Sequence, residues 1–478
     1  MASSSTTARP SPAPATISSA LAQFTAALAW EAIPGTVRER ARHLMLDAIG
    51  CGLAARRFDF AEVSLAAVTD LGGSGPRGVL GVARRFPLRD AVLANGILMH
   101  GLDFDDTHSE SIVHLSVGVL PAAMGVAAEL DRSGRDLLVA YVAGLESGAR
   151  LGAVARGAVH QVGFHPTGVI GAFASALAAG KLHGLDAAQL VNAQGVALST
   201  AAGSLEFLED GSWTKRFHAG WAGVGGITAA AMARRGFVAP AAAYEGRFGL
   251  YKTHLGSLDA GCDYTRATAG LASTWETMNV AVKPFPACHF VHAFADAAIA
   301  LRHGGLEADA ASIASITALV PAEVVQTVCE PVASKKRPAN DYDARFSVPY
   351  AIAASLRHGR FGLEELHADA LRDPATLALA DKVGYQVDPD SGFPSHYSGE
   401  VVVRMTDGRE LRHREQVNRG SADRPMANAE VVEKFMQNAA GCVTPARAER
   451  IRDAVLGLDG ASARSLEEAL VGDGSDVR

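Results

Sequence analysis

Residues 100–116, HGLDFDDTHSESIVHLS, concentrate side chains that can do chemistry. Three histidines and three aspartates stand among them, namely His100, His108, His114, Asp103, Asp105 and Asp106. The sequence on both sides is apolar. Carboxylates and imidazoles are costly to bury unless they are paired or serve a function, and such clusters are typical of functional sites. Two kinds of site fit this pattern, a metal cluster and a metal-free pocket for acid–base chemistry.

The spacing within this stretch does not decide between them. Metal sites favour close His and carboxylate pairings such as HExxH, and the sequence contains none. The pattern HxxDxDD over 100–106 is compatible with a hard-metal site without being specific for one. A metal-dependent hydrolase using His108, His114 and the aspartates is therefore one hypothesis. The plain structural interpretation is that Asp103 and Asp106 cap helix ends.

A second candidate is QVGFHPTG (161–168). Pro166 disfavours a helical conformation for His165, and Thr167 is predicted to cap the helix that follows. An imidazole at a helix N-terminus favours its neutral form, which a general base requires. The same pattern also fits a helix start without any function.

Two later segments combine cations with aromatic rings. DGSWTKRFHAGW (210–221) places Lys215, Arg216 and His218 between two tryptophans, which suggests either an anion-binding site or a surface turn. KPFPACHFVHAF (283–294) carries three further candidates, Lys283, His289 and His292, and at least one of these histidines is expected to be an ordinary core residue. Further along, Tyr342 and Tyr350 are candidates either for proton donors or for residues that line the pocket.

Composition excludes several classes of function. The net charge is −7 without a strongly basic region, which argues against nucleic acid as a partner. Five scattered cysteines form no CxxC pair and suit a reducing cytoplasm. No stretch has the apolar length of a membrane span, and the N-terminus lacks the features of a signal peptide. We therefore expect a cytoplasmic protein without a membrane partner.

Periodicity predicts a mostly helical chain with a smaller mixed region. A strand is predicted over 311–321, and a hairpin over 400–417 around the turn signal Asp407-Gly408. Helices are predicted over 37–55, 136–154, 168–185, 187–204, 344–359, 364–373, 429–443 and 446–460. The GxGxxG string at 73–78 is interpreted as a loop.

These elements predict four consecutive segments. Residues 1–16 form a disordered tail, and 17–270 form the first part of a helical domain. Residues 271–418 form an α+β domain, and 419–478 return to the helical domain.

The ordered set of motifs resembles the MmgE/PrpD family over nearly the whole chain. The matching segments include LDAIGCGLAA, LANGILMHGLDFDDTH, GFHPTGVIGAFASALAAGKLHGL, GSWTKRFHAGWAG, YEGRFGLY, KPFPACHFVHAFADAA, RFSVPYAIAASL and RPMANAEVVEKF. The resemblance implies a large all-helical domain made from both chain ends, with a smaller α+β lid domain inserted. It also implies a homodimer, no metal and no cofactor, and a small polycarboxylate as the substrate.

The resemblance also assigns site residues. It implies His114, His165, Lys215, His292 and Tyr350 as catalytic residues, and Asp103, Asp106, Thr107, His289 and Lys283 as substrate-binding residues. Two departures from the family's usual motifs are expected to reshape the pocket: Leu115 replaces the proline of His-Pro-Ser, and Ala219 replaces that of His-Pro-Gly-Trp.

The resulting hypothesis is a metal-free lyase in which a histidine moves a proton next to a carboxylate. Asp103 or Asp106 is expected to fix the tautomer of that histidine. Lys215 would stabilise the developing negative charge. Dehydration or decarboxylation of a citrate, 2-methylcitrate or cis-aconitate type of acid ranks first, and epimerisation of a dicarboxylate such as iminodisuccinate ranks second. The metal-dependent hydrolase and a non-catalytic binding protein follow.

Overall fold

A computed structural model describes residues 16–257 and 261–472. The predicted tail lies outside the described residues except for Thr16, whose side chain caps the first helix. The helices are α1 Ile17–Ala27, α2 Gly35–Ala55, α3 Asp59–Gly72, α4 Leu88–His100, α5 Ser116–Glu129, α6 Gly134–Val154, α7 Ala158–Gln161, α8 Pro166–Leu182, α9 Ala187–Ala197, α10 Thr214–Arg234, α11 Leu250–Leu255, α12 His292–His303, α13 Val325–Val328, α14 Val332–Lys336, α15 Asp341–Ala344, α16 Val348–His358, α17 Pro374–Ala380, α18 Asn428–Ala439, α19 Pro445–Leu456 and α20 Ala463–Leu470.

The strands are short and belong to three small sheets. Their bounds are β1 Arg77–Val79, β2 Val82–Phe86, β3 Thr107–His108, β4 Val280–Ala281, β5 Ile313–Val320, β6 Val383–Val387, β7 Gly399–Met405 and β8 Glu410–Glu415. The strand order of the largest sheet is β6-β5-β7-β8. In it β5 pairs parallel with β6 and antiparallel with β7. The fold is therefore mostly helical with a small mixed sheet in the C-terminal region.

The predicted strand and hairpin are confirmed. The strand β5 lies inside the range 311–321, and β7 and β8 pair antiparallel across the Asp407-Gly408 turn. Gly408 has φ of +91°, a left-handed conformation that glycine adopts without steric cost. This is why the Asp-Gly pair marks the turn so clearly.

Two helix predictions differ most from the structure in extent or type. The helix predicted over 187–204 ends at Ala197, where Thr200 turns back to donate its hydroxyl to the Ala197 carbonyl. The segment 364–373 forms two short 3₁₀ turns instead of an α-helix. Pro374 restricts the residue before it to an extended backbone, which prevents helical continuation there.

The buried apolar residues form two cores. The first collects residues from Ile17 to Val282 together with residues from the C-terminal helices, Met426 to Leu470. The second lies mainly between Phe285 and Met405, around the four-stranded sheet. The boundaries predicted at 270/271 and 418/419 stay predictions. Among the described helices α6 is long and apolar enough to cross a membrane, and its apolar 18-residue stretch is buried inside the protein, as in a core helix.

Candidate active site

A cavity of about 480 Å³, including its part open to solvent, has its apolar walls from the second core. Its polar walls come from the loop after α4, the starts of α8 and α10, and the segment after β4. The lining side chains are Asp103, Thr107, Ile112, His114, His160, His165, Leu205, Phe207, Leu208, Lys215, Lys283, Cys288, His289, Phe290, Thr327, Phe346 and Tyr397. Seven of the ten predicted site residues therefore line this one cavity.

Two lysines meet a single aspartate on the cavity wall. Lys215, in the first turn of α10, and Lys283 each place Nζ 2.9 Å from Asp103 Oδ1. Lys283 also donates to the backbone carbonyl of Asp103 at 2.8 Å. Burial by itself would raise the pKa of Asp103, but the two lysine charges outweigh it and hold that pKa well below its usual range. Asp103 is therefore ionised, and it orients both ammonium groups.

A strand pair brings Lys283 to this position. The two residues of β3, Thr107 and His108, pair antiparallel with Ala281 and Val280 of β4. Lys283 follows β4 by two residues, while Asp103 precedes β3 by four. The pairing thus connects parts of the chain that are 180 residues apart.

Asp105 is the hydrogen-bond partner of two histidines, a role that the sequence predicted for Asp103 or Asp106; Asp103 Oδ1 lies 3.6 Å from His114 Nε2. Asp105 Oδ2 lies 3.1 Å from His100 Nδ1 and 2.9 Å from His114 Nδ1. Burial would raise the pKa of Asp105, but its interactions with His100 and His114 lower it well below the usual value. An ionised Asp105 accepts Nδ1–H from each ring, so the Nε2 atom of His114 carries the lone pair.

Asp106 does not line the cavity, so its predicted role in substrate binding has no support. Its carboxylate accepts a hydrogen bond from the backbone N–H of Ser116 at 3.2 Å and another from the Ser116 hydroxyl, at the start of α5. Burial is the largest cause that raises the pKa of Asp106 to about 7, and the nearby Asp105 and Asp47 charges add to it. The plain interpretation of this aspartate as a helix cap describes its contacts.

His165 sits at the N-cap of α8 and Pro166 is the first residue of that helix, as the sequence indicated. Burial is the largest cause that moves the pKa of His165 well below its usual value, and Lys215 adds to the effect. His165 is thus neutral. Its Nδ1 lies 3.1 Å from Nδ1 of His218, and its buried Nε2 has no hydrogen-bond partner in the described part of the chain.

Thr167 does not cap α8, which corrects that prediction. Its hydroxyl accepts a hydrogen bond from the backbone N–H of His114 at 3.0 Å. The contact ties the loop that carries His114 to the start of α8. It places the two histidine rings with their centroids 6.1 Å apart.

The residues of the tryptophan-flanked segment 210–221 lie partly at the cavity and partly at the protein surface. Lys215 points into the cavity, while Arg216 donates to the Gly101 carbonyl at 2.7 Å and stacks on Phe60 and Tyr342. Trp213 and Trp221 are partly exposed. Lys215 is thus the cation of this segment that lines the cavity, the two indoles do not line it, and anion binding stays a prediction.

His289 and His292 have different environments. His289 lines the cavity, and Asn418 donates to its Nε2 at 2.7 Å. Burial lowers the pKa of His289 to about 3. His292 lies outside the lining and donates Nε2–H to the Ala287 carbonyl at 3.0 Å, which fits the core histidine expected for one of the pair.

Tyr350 is also absent from the lining. It is fully buried, and its hydroxyl donates to the Glu365 carbonyl at 2.6 Å. Burial raises the pKa of Tyr350 well above its usual value. These contacts leave the predicted roles of Tyr350 and His292 as proton donors without geometric support.

Sequence reasoning missed several lining residues. His160 lies five residues before His165, so its type and proximity were a usable signal, and burial lowers its pKa to about 4. Tyr397 donates its hydroxyl to the Ser109 carbonyl at 2.6 Å, and nothing in the local sequence marks it. The apolar walls formed by Ile112, Phe207 and Phe346 could be found only from the fold.

The described residues contain two groups that could supply metal ligands. These are His100, His114 and His165, and His100, Asp103, Asp105 and His114, with ligand atoms within 4.8 Å of one another. Asp103 and Asp105 already accept hydrogen bonds from lysine or histidine, so a divalent cation there would face Lys215 and Lys283. His108, part of the metal hypothesis, instead lies 2.9 Å from Ser111 Oγ and 3.1 Å from Glu276 Oε2. The hydrolase cluster as hypothesised is therefore not assembled.

Comparison with known proteins agrees with this architecture. The MmgE/PrpD N-terminal domain matches residues 19–262, and the MmgE/PrpD C-terminal domain matches residues 285–460. The chain belongs to the MmgE/PrpD family. Both domain matches fall on the segments that supply the cavity.

Curated family relatives cover most of the chain. A cis-aconitate decarboxylase-like protein of Aspergillus oryzae is 29% identical over 89% of this chain and 91% of its own length. The cis-aconitate decarboxylase of Aspergillus terreus is 27% identical over 93% of both chains. The human cis-aconitate decarboxylase is 28% identical over 84% of this chain and 83% of its own.

Proposed function

We propose that this protein is a metal-free lyase that decarboxylates a small polycarboxylate related to cis-aconitate. The observation that carries the proposal is the pair of buried lysines, Lys215 and Lys283, on the wall of a cavity that also holds neutral histidines. Relatives named as cis-aconitate decarboxylases at 27–29% identity support decarboxylation over the other reactions of a lyase.

The lining favours an anionic substrate. Two ammonium groups and the single carboxylate of Asp103 leave a positive charge in the cavity, although the chain as a whole carries −7. At about 4 Å and an effective dielectric constant of about 20, each ammonium–carboxylate contact contributes about 4 kcal/mol before desolvation is subtracted. A substrate with two or more carboxylates gains most from this arrangement.

The apolar walls suit loss of carbon dioxide. When the C–C bond to the leaving carboxylate breaks, neutral CO₂ departs and the electron pair stays on the substrate, delocalised towards a remaining carboxylate. Lys215 and Lys283 would stabilise that charge as it develops. Phe207 and Phe346 give the leaving group a surface without water.

A histidine would then protonate the carbanion. His165 is our candidate, because its Nε2 faces no protein partner within the described residues and can carry the proton. His114, held by Asp105 with its Nε2 lone pair available, is a candidate base. Because His114 as a base and His165 as an acid are neighbours, epimerisation of a dicarboxylate is the second candidate reaction. Dehydration would use the same two histidines.

We also propose that the region around the second core acts as a lid domain. It contributes His289, Phe346 and Tyr397 to the lining, while His114, His165 and Lys215 come from the helical part. Relative motion of the two would open the cavity for substrate and then exclude water.

The test is NMR of the purified protein with cis-aconitate, citrate, 2-methylcitrate and iminodisuccinate in D₂O. We expect CO₂ and a product with deuterium at the protonated carbon from one tricarboxylate. We expect kcat/KM to fall by about 100-fold or more in Lys215→Ala and His165→Ala, the range for losing one charge-stabilising group or one acid–base group. The control is Lys336→Ala, which removes a partly exposed lysine that lies outside the cavity and donates to the Asp381 carbonyl.

Other outcomes of the same experiment are decisive. Water loss from citrate or 2-methylcitrate without CO₂ would replace decarboxylation by dehydration, and deuterium exchange into iminodisuccinate without CO₂ would replace it by epimerisation. No reaction with any of these acids would overturn the proposal. Activity that is lost with a stoichiometric metal on dialysis against a chelator would refute the metal-free mechanism.

A further inference from the structure

His218 is a direct neighbour of His165, and their ring centroids are 5.3 Å apart. His218 lies on the second turn of α10 and is only partly buried, whereas His165 is 3% exposed. The two Nδ1 atoms are 3.1 Å apart, a hydrogen-bond distance. His165 is a cavity-lining residue and His218 is not. The pair therefore links the cavity wall to a less buried site.

The surrounding backbone holds this contact in place. The backbone N–H of His165 donates to the Gly203 carbonyl at 2.9 Å. A Cβ atom on Gly203 would come within 3.2 Å of His218 Nδ1 and 3.4 Å of the His165 Cβ atom, so glycine lets the chain close over the two rings. The helices α8 and α10, which carry the two histidines, pack against each other along their length.

A hydrogen bond between two neutral imidazoles requires complementary tautomers. One Nδ1 must carry a proton and the other must accept it. Burial lowers the pKa of His218 to about 4, with His100 and Lys215 contributing, so both rings are neutral near pH 7. When His165 carries its proton on Nε2, its Nδ1 accepts from His218.

We propose that His218 is a proton-relay residue that resupplies His165 from solvent. The inference rests on the proposed decarboxylation, because that reaction consumes one proton at carbon for each CO₂ released. The apolar side chains of Leu205, Phe207 and Leu208 line the cavity, and bound substrate would block entry from the cavity side. Within the described residues, the contact with His218 is the one hydrogen bond that the His165 ring makes, and it offers a route for the proton.

The relay conserves atoms and charge. His165 Nε2–H protonates the substrate carbanion, and His165 Nδ1 takes the Nδ1 proton of His218. In concert, His218 Nε2 takes a proton from water or a buffer acid. Both rings stay neutral and both have changed tautomer. After product leaves and the cavity is open, His165 Nε2 takes a proton from water, its Nδ1 proton returns to His218, and His218 Nε2 releases a proton to solvent, which restores both tautomers.

The test separates a relay from a structural role. In His218→Gln we expect kcat for cis-aconitate to fall by about 10-fold or more while KM stays within about twofold, because no substrate contact is lost. In His218→Ala, added imidazole should restore kcat in proportion to its concentration. The matched control is His183→Gln, which removes another partly buried histidine, near Arg234.

Three results would overturn the relay. The first is an unchanged kcat in His218→Gln, and the second is a change in KM of that variant without a change in kcat. The third is a kcat in His218→Ala that does not respond to imidazole. They differ from failure of the proposed function, in which the wild-type protein itself produces no CO₂.

An independent readout needs no substrate. In ¹⁵N-histidine NMR of the free protein, His165 and His218 should show one Nδ1–H and one Nε2–H tautomer. Two Nε2–H tautomers would overturn the relay whatever the activity measurements give.

Discussion

At the scale of residues, the three aspartates of the loop after α4 show how strongly position decides chemistry. Asp103 faces two lysines, Asp105 faces two histidines, and Asp106 faces the start of α5. The pKa values of Asp103 and Asp105 move below the usual value and that of Asp106 moves above it. Identical side chains within four positions therefore differ in protonation near neutral pH.

Asp106 yields a prediction about stability. Its pKa in the folded protein is about 7, above the usual value of about 3.9 for an unfolded chain. Between these values the folded state holds a proton that the unfolded state has lost, so this group lowers stability by about 1.4 kcal/mol for each pH unit gained. In Asp106→Asn that loss is absent. The free energy of unfolding of the variant minus that of the wild type should rise from pH 4.5 to 7 and then level off.

Urea unfolding at several pH values measures this difference, with the exposed Asp70→Asn as the control. A difference that stays constant or falls as pH rises would contradict the environment described for Asp106. Because Asp106 does not line the cavity, KM should also stay within about twofold of the wild-type value.

At the scale of elements, glycines set how closely α4 and α10 approach. A Cβ atom at Gly220 would lie 2.3 Å from the Leu93 carbonyl oxygen, and one at Gly96 would lie 2.4 Å from the Gly220 Cα atom. No side chain fits between the two backbones there. This contact fixes the distance between Lys215 at the start of α10 and Asp103 just beyond α4.

Gly220→Ala should therefore separate the two helices. We expect a loss of about 1–3 kcal/mol in the free energy of unfolding, as for an overpacked core, together with a lower kcat because Lys215 shifts from Asp103. Denaturant unfolding and steady-state kinetics measure the two effects.

Gly118→Ala is the matched control for that variant. Its Cβ atom would meet its nearest neighbour, the Ala219 carbonyl oxygen, at an ordinary 3.6 Å. Alanine also favours helix by up to about 1 kcal/mol over glycine. Equal destabilisation by the two substitutions would show that close approach of α4 and α10 is not what requires glycine.

At the scale of the whole molecule, the C-terminal helices close the structure around the site. Lys434 of α18 places Nζ 2.6 Å from Asp47 Oδ1 of α2 and donates to the Phe104 carbonyl at 2.7 Å. The end of the chain is thus bonded both to an early helix and to the loop that carries Asp103 and Asp105. This long-range contact stabilises the active-site loop through its backbone at Phe104.

Lys434→Met should cost about 3–5 kcal/mol of stability, because it leaves the buried carboxylate of Asp47 without its partner. Burial already raises the pKa of Asp47, so the loss should grow as pH rises and that carboxylate ionises. Adding Asp47→Asn to this variant should recover much of the loss. Urea unfolding of the two single variants and the double variant tests this, and strictly additive effects would contradict a direct pairing.

The sequence alone determined those features that depend on neighbours along the chain. Pro166 after His165 fixed the start of α8 and placed a neutral imidazole there, and Asp407-Gly408 fixed the hairpin because it can adopt the required turn. The lysines and histidines were identified by type, and their order along the chain identified the family. These are local or compositional properties, so a linear pattern can carry them.

Tertiary structure alone decided which of the adjacent groups faces which partner. Asp103 has φ of +49°, and in such an irregular loop the spacing of Asp103, Asp105 and Asp106 does not fix where each carboxylate points. His289 and His292 have different surroundings because His289 lies in a 3₁₀ turn, whereas His292 is the first residue of α12. The choice depends on what long-range packing brings to each side chain, such as Lys283 beside Asp103, and no local pattern encodes that neighbour.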